Sequence, residues 1–203
     1  MNFVTPWNDP GFATHGAHGV EAQLPAIRVA LSFCKLHRLA VDVGAHIGIW
    51  TNELAKRFDT VWAFEPNPEN FHCLGQNVGN RALLQNVALG NETRGCTTVM
   101  PPGGNSGMWR IDTSKCDVML RPLDSYDLSV VDFLKIDAEG YEGAVVQGAW
   151  RTLNTCRPVV FFEDNGLGPK YFGLEWVDPK PVLASLGYSR AARIRKDEIW
   201  TPA

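Results

Sequence analysis

The sequence predicts an open α/β fold, a mostly parallel sheet with helices on both faces. Three observations carry this. Leu39-Ala40-Val41-Asp42-Val43 is a short apolar run, 44–48 is a turn bounded by Gly44 and Gly48, and 49–58 reads as a helix. A second apolar run, Thr60-Val61-Trp62-Ala63-Phe64, ends at Glu65, roughly 20 residues beyond the first glycine. A third, 130–136, ends at Asp137 and is followed by a helical stretch. Strand, tight loop and helix make a βα unit, and ligands of such sheets sit beyond the carboxyl ends of the strands. The turn at 44–48 is therefore where a ligand is expected.

Taken in order, residues 1 to 18 carry Pro6, Pro10, Gly11 and Gly16 and predict an irregular arm, placed to close over a site. His15 and His18 stand three apart, but a metal site needs three or four ligands and no acid or cysteine completes a set nearby. Ile27, Leu31 and Cys34 recur at helical spacing, so 20–37 predicts a helix with Pro25 in its first turn. After the second strand, Asn67-Pro68 turns the chain and 69–78 reads as a helix with Phe71, Leu74 and Val78 inward. Residues 82–89 form a third strand and its exit. Asn86 there has two readings, a partner for an adenine amino edge or a turn asparagine.

Residues 90–122 break the βα rhythm. Thr97 to Met100 and Lys115 to Arg121 are strand-like and flank the loop Pro101-Pro102-Gly103-Gly104-Asn105-Ser106-Gly107. An inserted pair of strands with a loop at the substrate entrance and a plain disordered connection both fit. The fourth strand at 130–136 precedes Asp137, Glu139 and Glu142, three acids at a helix N-terminus, where the helix dipole favours them. A fifth strand, 157–162, ends at Glu163. Tyr171, Phe172 and Gly173 read as a loop, 179–186 as a short helix, and 188–194 with 198–201 as a closing antiparallel hairpin.

The acid at Asp42 decides between ligands. A dinucleotide loop uses three glycines and a helix N-terminus open to pyrophosphate. Here His46 holds the middle place, and a carboxylate just before Gly44 would repel a diphosphate. It favours a cationic ligand such as S-adenosylmethionine, with its sulfonium and ammonium. Glu65 stands where an acid accepts hydrogen bonds from ribose hydroxyls in this topology.

At 203 residues the chain suits one domain with a real core: 1–38 as arm and first helix, 39–165 as the cofactor-binding core, 166–203 as the closing strands. Net charge is -3, which gives no bulk drive towards nucleic acid or anionic lipid. Five cysteines without a Cys-x-x-Cys pair suggest neither a disulfide framework nor zinc. No apolar run approaches a membrane span of about 20 residues, and the N-terminus lacks the basic-then-apolar order of a signal peptide. A cytoplasmic monomer or homodimer is expected.

The segments Val41-Asp42-Val43-Gly44-Ala45-His46-Ile47-Gly48, Phe64-Glu65-Pro66-Asn67, Asn86-Val87-Ala88-Leu89-Gly90, Arg121-Pro122-Leu123-Asp124-Ser125, 132–142 with its Lys135-Ile136-Asp137-Ala138-Glu139-Gly140-Tyr141-Glu142, and Pro158 to Glu163 follow one another in order. Together, from about residue 39 to 165, they resemble FkbM-type S-adenosylmethionine-dependent methyltransferases. The resemblance implies a Rossmann-like class I methyltransferase fold with a seven-stranded sheet and an antiparallel last strand. It implies O-methyl transfer to a small-molecule or carbohydrate hydroxyl. It also implies S-adenosylmethionine contacts from Asp42, Val43, Gly44, Ala45, His46, Gly48, Glu65, Pro66, Asn86, Val87 and Asp137. His46 departs from the pattern, standing where the family usually has asparagine.

Methyl transfer depends on holding the acceptor oxygen in line with the methyl carbon. A hydroxyl acceptor also needs its proton removed, and Asp137, Glu139 and Glu163 are the candidate bases, with His46 behind them. Asp137 and Glu139 are chemically able to hold a divalent cation, although the spacing demands no metal. Two rival readings remain: a nicotinamide-dependent oxidoreductase, disfavoured by Asp42 and the missing glycine, and a cofactor-binding module without catalysis. A nucleic-acid methyltransferase is disfavoured by the acidic charge and by the absence of an Asn/Asp-Pro-Pro-Tyr/Phe motif.

Overall fold

A computed structural model describes residues 3–6 and 10–203, with the side chains of 10–20 and of Leu174 outside that description. The strands are β1 (Leu39–Val43), β2 (Thr60–Phe64), β3 (Leu83–Gln85), β4 (Ala88–Leu89), β5 (Arg94–Val99), β6 (Arg110–Asp112), β7 (Val118–Arg121), β8 (Phe133–Ile136), β9 (Val159–Glu163), β10 (Tyr188–Ile194) and β11 (Asp197–Pro202). The α-helices are α1 (Pro10–Leu31), α2 (Ile49–Leu54), α3 (Pro68–Val78), α4 (Glu142–Gly148), α5 (Trp150–Cys156), α6 (Gly168–Phe172) and α7 (Pro179–Ser185).

The main sheet has seven strands in the order β10-β11-β9-β8-β1-β2-β3. β1, β2, β3, β8 and β9 run parallel, while β11 is antiparallel to both β9 and β10. Strand order reverses between β1 and β8, and the crevice at such a reversal is where α/β sheets bind ligands. Alternation along the strands builds a core on each face. Val41, Val43, Leu134, Ile136, Val160 and Phe162 pack with Val145, Val146, Leu153 and Leu183 of α4, α5 and α7. On the other face Ala40, Val61, Phe133 and Phe161 pack with Ile27, Ala30 and Leu31 of α1 and with Trp50 and Leu54 of α2.

Several expectations are corrected. The irregular arm does not run to residue 18, because α1 begins at Pro10, whose fixed φ and missing N–H suit a first helical position. Pro25 lies inside α1 instead of opening it, and costs the helix one i→i−4 bond. The first and second residues and 7–9 lie outside the described residues, as do the His15 and His18 side chains, so the His-x-x-His question rests there. The stretch read as one helix over 49–58 stops at Leu54. Tyr171 and Phe172 belong to α6, not to a loop, and α5 follows α4 almost without a break at Ala149.

The insertion is larger than a hairpin and is ordered. β4, β7, β5 and β6 form a second sheet in that order, with β5 antiparallel to β6 and β7. β6 is only three residues long, too short to leave a periodic signal. The loop between β5 and β6 carries a tight turn at 106–108, capped by the Asn105 side chain accepting from Gly107 N–H. All five cysteines are unbridged.

Candidate active site

β1 delivers its chain into the turn through Gly44, at φ +69. A Cβ there would lie 1.8 Å from the Asp137 carbonyl oxygen, so only glycine lets the β1 and β8 tips close together. Gly48, at φ +95, packs against Leu74 and Val78 of α3, where a Cβ would lie 2.9 Å and 2.7 Å from their side chains. Between them His46 also adopts a left-handed conformation, φ 53. That turns its backbone N–H onto Glu65 Oε2 at 2.8 Å.

Glu65 is buried at the tip of β2. Besides the His46 N–H it accepts the Asn67 N–H at 2.9 Å. Burial outweighs these bonds and pushes its carboxyl up to about 7. Asn86 donates to the Glu65 and Pro66 carbonyls at 2.9 Å and 3.0 Å, fixing the backbone behind the acid. His46 Nε2 lies 2.7 Å from Ser106 Oγ, and Asn70 donates to the Ser106 carbonyl at 2.9 Å. The inserted loop is thus tied down across the glycine turn and α3.

Beneath the turn lies a buried ion pair. Asp42 faces Lys135 across the β1–β8 ladder, and their side chains are 0% and 2% exposed. Lys135 Nζ is 3.0 Å from Asp42 Oδ1, close enough for an ion pair but not aligned as a hydrogen bond. The other Asp42 oxygen accepts from Thr51 Oγ1 at 2.6 Å. Lys135 also donates to the Val43 and Gly44 carbonyls at 3.2 Å and 2.6 Å and approaches Asp137 at 3.7 Å. Burial alone would lower its pKa, but Asp42 and Asp137 more than offset that and hold the ammonium above its ordinary value.

Across the cleft Asp137, Glu139 and Glu163 bring carboxylate oxygens within 4.8 Å of one another. Burial raises Glu139 to about 8, helped by Asp137 and Glu163. Burial and Asp137 raise Glu163 to about 7 against the opposing pull of its ion-pair partner Lys196. Glu142 plays a different part. Its Oε1 accepts the Ala138 and Gly140 N–H groups at 3.0 Å and 3.1 Å and holds the turn after β8. The three-acid group is the one set among the described residues with the spacing to hold a cation.

These pieces enclose a cleft of about 490 Å3. Of the residues expected to bind a cofactor or act in catalysis, Val43, Gly44, His46, Glu65, Pro66, Val87, Asp137, Glu139 and Glu163 line it. Asp42, Ala45, Gly48 and Asn86 do not; they shape the wall from behind. The sequence reading gave Asp42 a direct hold on the ligand, and the structure places it under the floor, engaged by Lys135 and Thr51. Four carboxylates line the cleft, and no lysine or arginine does among the described residues. Sequence reasoning missed Lys135, Asn70 and the Asn105, Ser106, Trp109 and Ile111 wall. For Lys135 a signal existed: β1 and β8 each carry one charge in an apolar run, and the two are of opposite sign.

The fold and this crevice define a class I methyltransferase architecture. The model of the methyltransferase FkbM domain matches residues 42–189, and the chain belongs to that family of S-adenosylmethionine-dependent methyltransferases. Among solved structures it is similar to an FkbM methyltransferase from Methylobacillus flagellatus, at 21% identity and TM-score 0.52, over 81% of this chain and 42% of that one. The chain thus spans under half the length of that relative. It is also similar to precorrin 8w decarboxylase of Methanobacterium thermoautotrophicum, at 17% identity and TM-score 0.55, over 99% and 97% of the two chains. A T. thermophilus 16S rRNA methyltransferase, solved with AdoMet and guanosine, matches at 12% identity and TM-score 0.51, over 91% of this chain and 43% of its own. No curated protein sequence matches. No helix among the described residues is long and apolar enough to cross a membrane.

Two outcomes follow from the buried charges. Lys135→Met leaves Asp42 buried without its counter-ion and should cost about 3–5 kcal/mol in urea unfolding, much of it recovered when Asp42→Asn is added. A cost within error of zero for the single variant would show the pair to be dispensable. The second outcome concerns pH. Glu139 and Glu163 have folded pKa values of about 8 and about 7, above their ordinary 4.5. The folded chain therefore binds more protons than the unfolded one in that window. Their contribution is present below the unfolded pKa and is lost as pH rises through about 7 to 8. Thermal melts of the ligand-free protein should show lower stability at the alkaline end, with a flatter profile in Glu139→Gln.

Proposed function

We propose that this chain transfers the methyl group of S-adenosylmethionine to a hydroxyl of a small molecule or sugar. The observation that carries the reading is the charge of the cleft lining: Glu65 at the tip of β2, Asp137 and Glu139 after β8 and Glu163 at the end of β9, with no lysine or arginine among the described lining residues. A diphosphate has no counter-charge there, whereas a sulfonium and an ammonium do. Glu65, Gly44 and Val43 line the cleft; in this reading Glu65 accepts the ribose hydroxyls and the ligand runs close to the backbone at Gly44 and Val43. Val87, Leu89 and Phe64 offer apolar contact to an adenine.

When bound, S-adenosylmethionine supplies an electrophilic methyl carbon on a good leaving group. The chain supplies the rest. Asp137 sits where β8 ends, held by Lys135 from below and by its own N–H to the Val43 carbonyl at 3.1 Å. Glu139 and Glu163 flank it and take up the acceptor proton as the oxygen–carbon bond forms. The inserted loop with Ser106 and Trp109 closes the opposite side and excludes water from the reacting oxygen.

Lys196 already furnishes Glu163 with positive charge, so proton transfer by the three acids is favoured over metal binding. The test is S-adenosylhomocysteine formation with a panel of hydroxylated acceptors, before and after dialysis against a chelator. Turnover should survive chelation. Glu65→Ala should weaken S-adenosylmethionine binding by about tenfold, or 1.4 kcal/mol, and Asp137→Asn should slow turnover more than it weakens binding. Tight binding of NAD, with none of the methyl donor, would overturn the assignment. Donor binding without turnover on any acceptor would leave a binding module.

A further inference from the structure

A second cavity of about 330 Å3 adjoins the cleft and shares Ile111 with it. Arg110 and Asp112 of β6 line it from the insertion, Tyr141 from the turn after β8, and Tyr171 and Phe172 from α6. Tyr141 is two residues beyond Glu139 in the chain, and Ile111 is the wall that the two cavities share.

Arg110 is the unusual member. Its guanidinium stacks over Tyr171, with Cζ 4.4 Å from the ring centroid. Its Nη1 is shut off from solvent and has no hydrogen-bond partner, and no carboxylate pairs with it among the described residues. A cationic donor closed from water without an acceptor is costly. The acids on the same wall make no hydrogen bond or ion pair with it among the described residues, although Asp112 is close enough to feel its charge. Glu92 pairs with Arg94 at 3.1 Å, Asp112 accepts the Ser114 N–H at 2.8 Å, and Glu175 is exposed to water. A guanidinium stacked on a ring, whose remaining Nε and Nη2 groups make no hydrogen bond or ion pair among the described residues, can receive an oxyanion edge-on from the cavity.

We propose that this cavity is the acceptor subsite and that Arg110 receives an anionic group of the acceptor, a carboxylate or a phosphate. The inference rests on the cleft being the methyl-transfer site: the acceptor then spans the Ile111 wall, its anion at Arg110 and its hydroxyl beside Glu139. The acceptor is accordingly a hydroxy acid or a phosphorylated hydroxyl compound, not a neutral sugar.

Binding to protein saturated with S-adenosylhomocysteine tests this without turnover. The probes are benzoate, phenyl phosphate and uncharged phenol, followed by NMR chemical-shift titration. At least one of the two anions should bind about tenfold or more tightly than phenol, and which of them does so tells carboxylate from phosphate. The preference should vanish in Arg110→Gln and return in part in Arg110→Lys, with the affinity for S-adenosylmethionine unchanged in both. Equal binding of anions and phenol by the unsubstituted protein, or an anion preference that survives in Arg110→Gln, overturns the proposal. Failure of the unsubstituted protein to bind S-adenosylmethionine in a parallel calorimetric titration overturns the methyl-transfer reading instead, and the two failures are read from separate measurements.

Discussion

The site depends on one buried ammonium. Lys135 sits at the centre of the sheet, on the β1–β8 ladder near the strand tips, and reaches Asp42, Asp137 and the carbonyls of Val43 and Gly44 at once. A lysine in such a place is tolerated only because every donor has somewhere to go. What it secures is the spacing of two strand tips. With the Gly44 turn pressed against the Asp137 backbone, the two strand ends that border the crevice are held as one piece. Everything on the rim is positioned relative to it: Glu65 through the His46 N–H, the inserted loop through His46 and Ser106, and the acids after β8 through Glu142.

This arrangement separates two jobs that the sequence presents side by side. Asp42 balances charge beneath the floor, while Glu65, Asp137, Glu139 and Glu163 present charge to the cleft. Burial, with Asp137 crowded beside them, raises Glu139 and Glu163, which brings their proton exchange close to neutrality. A carboxylate at its ordinary 4.5 would be a weak base towards a hydroxyl; one near neutrality is better matched to it. The same crowding makes the ligand-free cleft electrostatically uncomfortable, and a cationic ligand relieves it.

Much of the sheet was legible because its strands announce themselves. β1 and β2 lie where the apolar runs put them, and the closing antiparallel hairpin forms from the two stretches that its pattern marks. Elements shorter than a turn of pattern were not legible: β6 spans three residues and α6 five, and each is held by neighbours more than by its own residues. The position of Glu65 followed from its distance beyond the glycine turn. The direction of Asp42 did not, because an acid at a strand tip points up or down according to what waits below. What waits is Lys135, ninety-odd residues later in the chain. The wall built by Asn105, Ser106 and Trp109 was foreseen only as an inserted loop.

Clustered carboxylates that hold a positively charged methyl donor should distinguish it from its demethylated product. S-adenosylmethionine and S-adenosylhomocysteine differ by one methyl group and one charge, so the ratio of their affinities isolates the electrostatic part. Calorimetric titration of both, from about pH 6 to about pH 8, spans the range in which Glu163 and Glu139 lose protons. The ratio should shift steadily in favour of the sulfonium as pH rises, and the shift should shrink in Glu139→Gln. A ratio independent of pH would mean that these acids do not face the sulfonium, and the cleft would need another ligand.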